Sequence, residues 1–170
     1  MNSANLLIAT LVLGAASLPT SAQPSASKAG ADDLVFMGDE EPAMKRAFER
    51  ARASLDEFLL KVKARPPGLS AFSVKVGVRQ GKDVEYFWIN DFAEVGEFFE
   101  GEIGNTPQMV KTVKLGQRYR FTKGEIVDWL YIDRPQRKMV GNFTYCALLA
   151  KESKKEAEAA RKRFNLDCET

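Results

Sequence analysis

Asp91, Glu94 and Asp128 are the residues of this chain whose chemistry is easiest to name. Two carboxylates facing one cleft, about 5–10 Å apart, can hydrolyse a glycosidic bond as acid and base or as acid and nucleophile. Other side chains offer less. The chain has no histidine, so the commonest general base and the commonest transition-metal ligand are both missing. Its two cysteines, Cys146 and Cys168, have no metal-ligand spacing, and cysteine catalysis would lack its usual histidine partner. No Gly-x-Ser-x-Gly elbow surrounds Ser54, Ser70 or Ser73, and there is no glycine-rich phosphate loop. Neither a metal site nor a cofactor is expected.

Each candidate has a structural reading beside the catalytic one. Asp128 alternates with Ile126 and Leu130, so a period of two puts it on an apolar face. A carboxylate there must bind backbone N–H groups, find a Lys or Arg, or hold its proton more tightly. Trp88 and Trp129 serve equally as core packing or as a ligand platform. Asn90 and Asp91 stand where a strand leaves its sheet, and Asn105 suits the turn Gly104-Asn105-Thr106-Pro107. Asn142-Phe143-Thr144 matches a glycosylation acceptor, and Gly141 before it marks a bulge or a close backbone approach.

Compartment and size frame these choices. Residues 6–18 are apolar or small and carry no charge, and Pro19-Thr20-Ser21-Ala22 follows with small residues suited to a signal peptidase. Residues 1–22 read as a cleaved signal peptide, with Gln23 as the mature start and a periplasmic or secreted destination. The n-region contains no Lys or Arg. In an oxidising compartment Cys146 and Cys168 are open to pairing, against the alternative of a buried Cys146 and a loose Cys168. The formal net charge is +2, concentrated late: residues 151–163 hold six basic and three acidic side chains. The rest is balanced and has no electrostatic footprint for nucleic acid. The late helix has too thin an apolar face for stable membrane insertion, though it invites the idea of contact with anionic lipids.

The elements that must position the candidates follow from periodicity. Residues 23–41 read as a flexible mature N-terminus. Met44, Phe48, Ala51, Leu55, Phe58, Leu59 and Val62 recur at helical spacing, predicting one amphipathic helix of about six turns from Pro42 to the Pro66-Pro67-Gly68 stop. The period then changes to two. Strands are predicted at 72–79, 84–90, 98–103, 126–132 and 139–149, with two short pieces at 109–113 and 117–121 and a hairpin turn over 133–138. Residues 151–164 predict a second helix. Short connections require antiparallel neighbours. The fold class is therefore α+β: the N-terminal amphipathic helix packed on a curved antiparallel sheet of about five or six strands, with an added C-terminal helix.

Several motifs occur in a telling order. Phe87-Trp88-Ile89 leads through Gly101-Glu102-Ile103 to Asn105-Thr106-Pro107 and Val113-Lys114-Leu115-Gly116-Gln117. Ile126-Val127-Asp128-Trp129-Leu130-Tyr131 and Met139-Val140-Gly141-Asn142-Phe143-Thr144 complete the series. This resembles the YegJ-like bacterial domain of unknown function over about residues 42–149, which makes 42–150 the domain and 151–170 a basic helix and tail added to it. The resemblance implies a bacterial origin and a fold, and no activity. With the strand-end residues it nominates a binding surface of Trp88, Asn90, Asp91, Asn105, Asp128, Trp129, Gly141 and Asn142. The reading is an exported single-domain binding module for a protein or cell-envelope component. The alternative is a carboxylate-dependent hydrolase acting on an envelope polymer.

Overall fold

The computed structural model describes residues 38–166 and Cys168. The leader, its cleavage point and residues 23–37 lie outside the described residues. Two helices open the fold, α1 (Pro42–Ala53) and α2 (Leu55–Ala64). Six strands follow: β1 (Leu69–Gln80), β2 (Asp83–Val95), β3 (Phe98–Ile103), β4 (Arg118–Phe121), β5 (Ile126–Asp133) and β6 (Lys138–Gly141). They form one antiparallel sheet in the order β4-β3-β2-β1-β5-β6. Two further helices, α3 (Phe143–Leu149) and α4 (Lys154–Phe164), close the chain. The α+β class with an N-terminal helical segment on an antiparallel sheet is what the structure has.

The expected single helix is broken at Ser54. Its hydroxyl donates to the carbonyl of Arg50 at 2.8 Å, and such back-bonding bends a helix. The break sends two apolar stripes to two places. Leu55 and Phe58 of α2 join the main core on one sheet face, with Phe72, Val74 and Val76 of β1, Phe87 and Ile89 of β2, and Trp129 and Tyr131 of β5. A side chain as fully buried as Phe58 contributes about 1.5–3 kcal/mol. Met44, Ala47 and Phe48 of α1 instead pack with Val127 and Ala147, so α1 lies against α3 and β5. That is the half of β5 that β6, paired only from Leu130 to Asp133, leaves uncovered.

One expected strand is absent and another is cut short. Residues 109–113 form no strand; they belong to a loop from Gly104 to Gln117 whose Val110 and Val113 are buried. The run 139–149 pairs only as far as Gly141 and then becomes α3. Gly141 and Asn142 have φ of 85° and 58°, and two consecutive left-handed residues turn the chain out of the sheet. A side chain at Gly141 would place its Cβ 2.2 Å from the carbonyl oxygen of Trp129, which makes this the close backbone approach. The hairpin at 133–138 forms, with Asp133 opposite Lys138.

Cys146 in α3 and Cys168 beyond α4 form a disulfide, with Cα atoms 5.4 Å apart. Around it Leu149, Ala157 and Leu166 make a third apolar cluster, so the thin stripe of α4 is spent on the fold. Among the described residues, no helix is long and apolar enough to cross a membrane.

Candidate functional site

Asp128 has none of its surface exposed. It lies opposite Lys75 in the β1–β5 ladder, at a register irregularity between Lys75 and Val76 that accommodates Val127. Its Oδ1 accepts from the N–H of Trp129 at 2.8 Å and of Phe143 at 3.2 Å. Its Oδ2 accepts from the N–H of Thr144 at 2.8 Å and from the Thr144 hydroxyl at 2.6 Å. Two of these donors are the first N–H groups of α3, which lack partners inside the helix. The N-cap residue, Asn142, makes no capping bond of its own. A carboxylate from a distant strand thus starts the helix and matches the positive end of its dipole.

Lys75 completes the cluster. Its Nζ donates to Thr144 Oγ1 at 2.7 Å and sits 4.6 Å from the centroid of the Trp88 ring. Burial pushes the Asp128 carboxyl above its ordinary value, while Lys75 and the Thr144 and Trp129 donors pull it back. Burial likewise lowers Lys75, and Asp128 opposes that shift. The arrangement is a structural ion–dipole network threaded through Thr144.

The structure separates the other nominated residues. Trp88 and Asn90 share the Lys75 face of the sheet, and Asn90 Oδ1 accepts from the Ser73 hydroxyl at 2.7 Å. Asn105 Oδ1 accepts from the Trp88 N–H at 2.9 Å and so holds the start of the long loop against β2. Trp129 points the opposite way, into the main core. Its ring stacks on Phe58 with centroids 4.8 Å apart, and its Nε1 donates to the Ala51 carbonyl at 3.0 Å. Asn142 adjoins Trp129 through the backbone alone, by an N–H bond of 2.8 Å, while its Nδ2 donates to Met139 Sδ at 3.3 Å. Asp128, Trp129 and Gly141 are buried, so no solvent-facing surface carries all eight residues. Asp91 and Glu94 are exposed on β2, with β1 between them and the sealed Asp128. Asp128, sealed from solvent, shares no cleft with Asp91 or Glu94.

Two features escaped the sequence reading. Glu85 is buried and accepts from three successive N–H groups, of Gln108, Met109 and Val110, at 2.8–2.9 Å. With Gln80, which accepts from the Lys111 N–H at 2.6 Å, it pins the long loop along β2. The loop closes at its base through the Gly116 N–H to the Ile103 carbonyl. Period two sets Glu85 on the face of Phe87 and Ile89, so the reasoning that marked Asp128 applied to it as well.

The second feature is a groove of about 630 Å³ between α2 and the outer half of the β2–β3 hairpin. Phe92 and Phe99 form its base and Leu59, Leu60 and Val62 its helical wall. Asp56 on α2 pairs with Lys123 across one end. Leu60 is 68 % exposed. Directly paired Val95 and Phe98, on the other face of the same hairpin, are 46 % and 40 % exposed. The available signal was Leu60 itself, an aliphatic residue off the helical stripe.

Residues 41–168 match a family described as uncharacterized protein conserved in bacteria (DUF2314). The match runs through α4 to Cys168, past the point where the motifs end, and so takes the C-terminal helix into the family's span. The uncharacterized protein YegJ of Escherichia coli (strain K12) is 31 % identical over 133 residues, covering 78 % of this chain and 84 % of that protein. No solved structure matches.

Proposed function

The chain belongs to the DUF2314 family of bacterial proteins, and on that premise we propose that it is a non-enzymatic binding module whose partner surface is the α2–hairpin groove. The carrying observation is the distribution of exposure. Asp128, Trp129 and Gly141 are sealed inside the fold, while Leu60 stands in water on the groove wall and Val95 and Phe98 on the other face of the same hairpin. Clustered exposed apolar side chains rimmed by charge are the usual mark of an interaction site. The proposal includes export as the setting. A disulfide and the lack of a membrane-crossing helix among the described residues are compatible with it. The partner is a protein or an envelope component outside the cytoplasm, and residues 42–150 and 151–170 act as one unit joined by the disulfide.

A photo-reactive amino acid placed at Leu60, and separately at Lys154 on α4, tests this in cells. A discrete adduct from position 60 and none from 154 is expected. The reading is overturned if 60 yields no adduct, or if the protein releases fragments from purified cell-wall polymer and Glu94→Gln stops that release.

A further inference from the structure

We infer that the groove takes an extended peptide, which adds as a strand to the open edge of β2 and carries basic residues next to its apolar ones. This rests on the binding reading above and names the partner's chemistry.

The first argument is the backbone. β1 and β2 pair from Gln80 opposite Asp83 to Ser73 opposite Asn90, and there the pairing stops. Both strands continue. β1 turns toward β5 through an irregularity between Ser70 and Ser73, where Ala71 has φ of 52°. β2 runs on to Val95, paired with β3 alone. Asp91, with φ of 46°, marks the parting on the β2 side. Among the described residues, Phe92 to Val95 have no ladder partner on the side away from β3. Asp91, Ala93, Glu94 and Val95 are exposed. An edge of unpaired N–H and C=O groups is a template for another strand, and only an extended polypeptide supplies the complementary series.

The second argument is the side chains that flank this edge. In a strand, residues alternate between faces. On one face an added strand would meet Leu59, Leu60 and Val62 over Phe92; on the other it would meet Val95. An apolar residue at alternate positions of the guest fills the groove that β2 and α2 leave.

Charge selects among extended partners. Asp91, Glu94 and Glu97 lie along the hairpin, and none forms an ion pair among the described residues. On the helical rim Asp56 is neutralised by Lys123, Arg65 is held 5.5 Å from the Phe72 ring centroid, and Lys63 adds a positive charge, so the acidity belongs to the hairpin edge and not to the whole groove. The edge itself is acidic. A second copy pairing edge to edge would set carboxylates against carboxylates, which is destabilising. A foreign segment with Lys or Arg beside its apolar residues meets the opposite sign.

Panning a randomised nine-residue peptide display library on the full-length, disulfide-bonded protein tests the inference. Enriched peptides should alternate apolar residues with Lys or Arg. Methylating alternate backbone nitrogens of the best peptide should weaken binding at least tenfold. The double variant Glu94→Lys, Glu97→Lys should lose at least tenfold for that peptide and prefer acidic ones. The inference is overturned by no enrichment relative to Leu60→Asp, by indifference to backbone methylation, by enrichment of acidic peptides, or by a concentration-dependent dimer that occupies the groove. An adduct at position 60 without peptide enrichment would remove the strand-addition inference and leave the binding reading standing. Neither adduct nor enrichment would remove both.

Discussion

Asp128 and Glu94 are both carboxylates on strands of one sheet, and the fold treats them in opposite ways. Asp128 is sealed under α3, satisfied by four donors and opposed by Lys75. Glu94 stands in water on a strand edge that lost its neighbour four residues earlier. The difference lies in what arrives over each strand. α1 and α3 close over the end of β5, and nothing among the described residues closes over the end of β2. Polar chemistry buried by a helix serves architecture here, whereas the apolar surface left open is where we propose recognition. Substitutions in the two regions should therefore separate stability from binding.

The largest effect is expected at Asp128. Asp128→Ala leaves the first N–H groups of α3 and the Thr144 hydroxyl without their acceptor, and the Lys75 ammonium without the opposing charge. Removing one partner of a buried charged network costs about 3–5 kcal/mol. Urea titration should show that loss, or a chain that does not fold. Asp128→Asn keeps one acceptor oxygen and should lose less. A cost under about 1 kcal/mol for the alanine variant would mean that the helix does not depend on this cap.

This dependence also explains what could be read from the sequence. The apolar alternation of β1 and the stop at Pro66-Pro67-Gly68 are local signals, and the elements they predict are present. Asp128 was legible as a residue with a problem, since an aspartate in an apolar strand must be satisfied, but its expected face was half right: the bulge at Val127 turns Ile126 to the main core on the other side of the sheet. Its solution was not legible. The helical state of 143–149 depends on a carboxylate fifteen and sixteen residues upstream of its bonded N–H groups. No window of sequence holding Phe143-Thr144-Tyr145-Cys146 alone reveals that. The groove was hidden for a related reason. It exists because β1 and β2 part at Ser73 and Asn90; the period of two breaks there, Ile89 and Phe92 being three apart, but that break does not reveal that β2 runs on along β3 without β1.

The disulfide ranks next. Replacing Cys146 and Cys168 by serine frees the end of α4 from α3, across a separation of 22 residues. A loop of that size is worth about 2–4 kcal/mol. Thermal melts with and without reductant should coincide for the double variant and differ for the parent. The groove lies on α2 and the β2–β3 hairpin, so peptide binding below the melting range should be unchanged. Loss of binding on reduction would break the separation between the two regions.

Lys75 gives a smaller, pH-dependent effect. Burial lowers its pKa in the folded protein, so the unfolded chain binds more protons between the folded value and the free value of about 10.4. Stability from this group therefore rises with pH through that window and is flat above it. Burial shifts Asp128 upward, so its contribution instead falls as pH rises from the free value of about 3.9 toward the folded one. Subtracting the stability curve of Lys75→Met from that of the parent between neutral and alkaline pH should leave a positive slope. A negative slope would place the charged amine, rather than the neutral one, as the form the cluster prefers.

The smallest stability effect and the largest effect on binding should coincide at Leu60. Its side chain is mostly in water, so Leu60→Asp removes little buried area and leaves no polar group unsatisfied. Exposed substitutions of this kind stay within about 0.5 kcal/mol. The helix should tolerate it too, since Leu60 is off the stripe that carries Leu55 and Phe58 into the core. In the groove, the same change puts a carboxylate where an apolar guest side chain would sit and adds to the charge of Glu94 and Glu97. Binding of a selected peptide should fall at least tenfold while the urea midpoint stays put. If Leu60→Asp instead unfolds the protein, its exposure misstates its role, and α2 relies on Leu60 for packing as it does on Phe58.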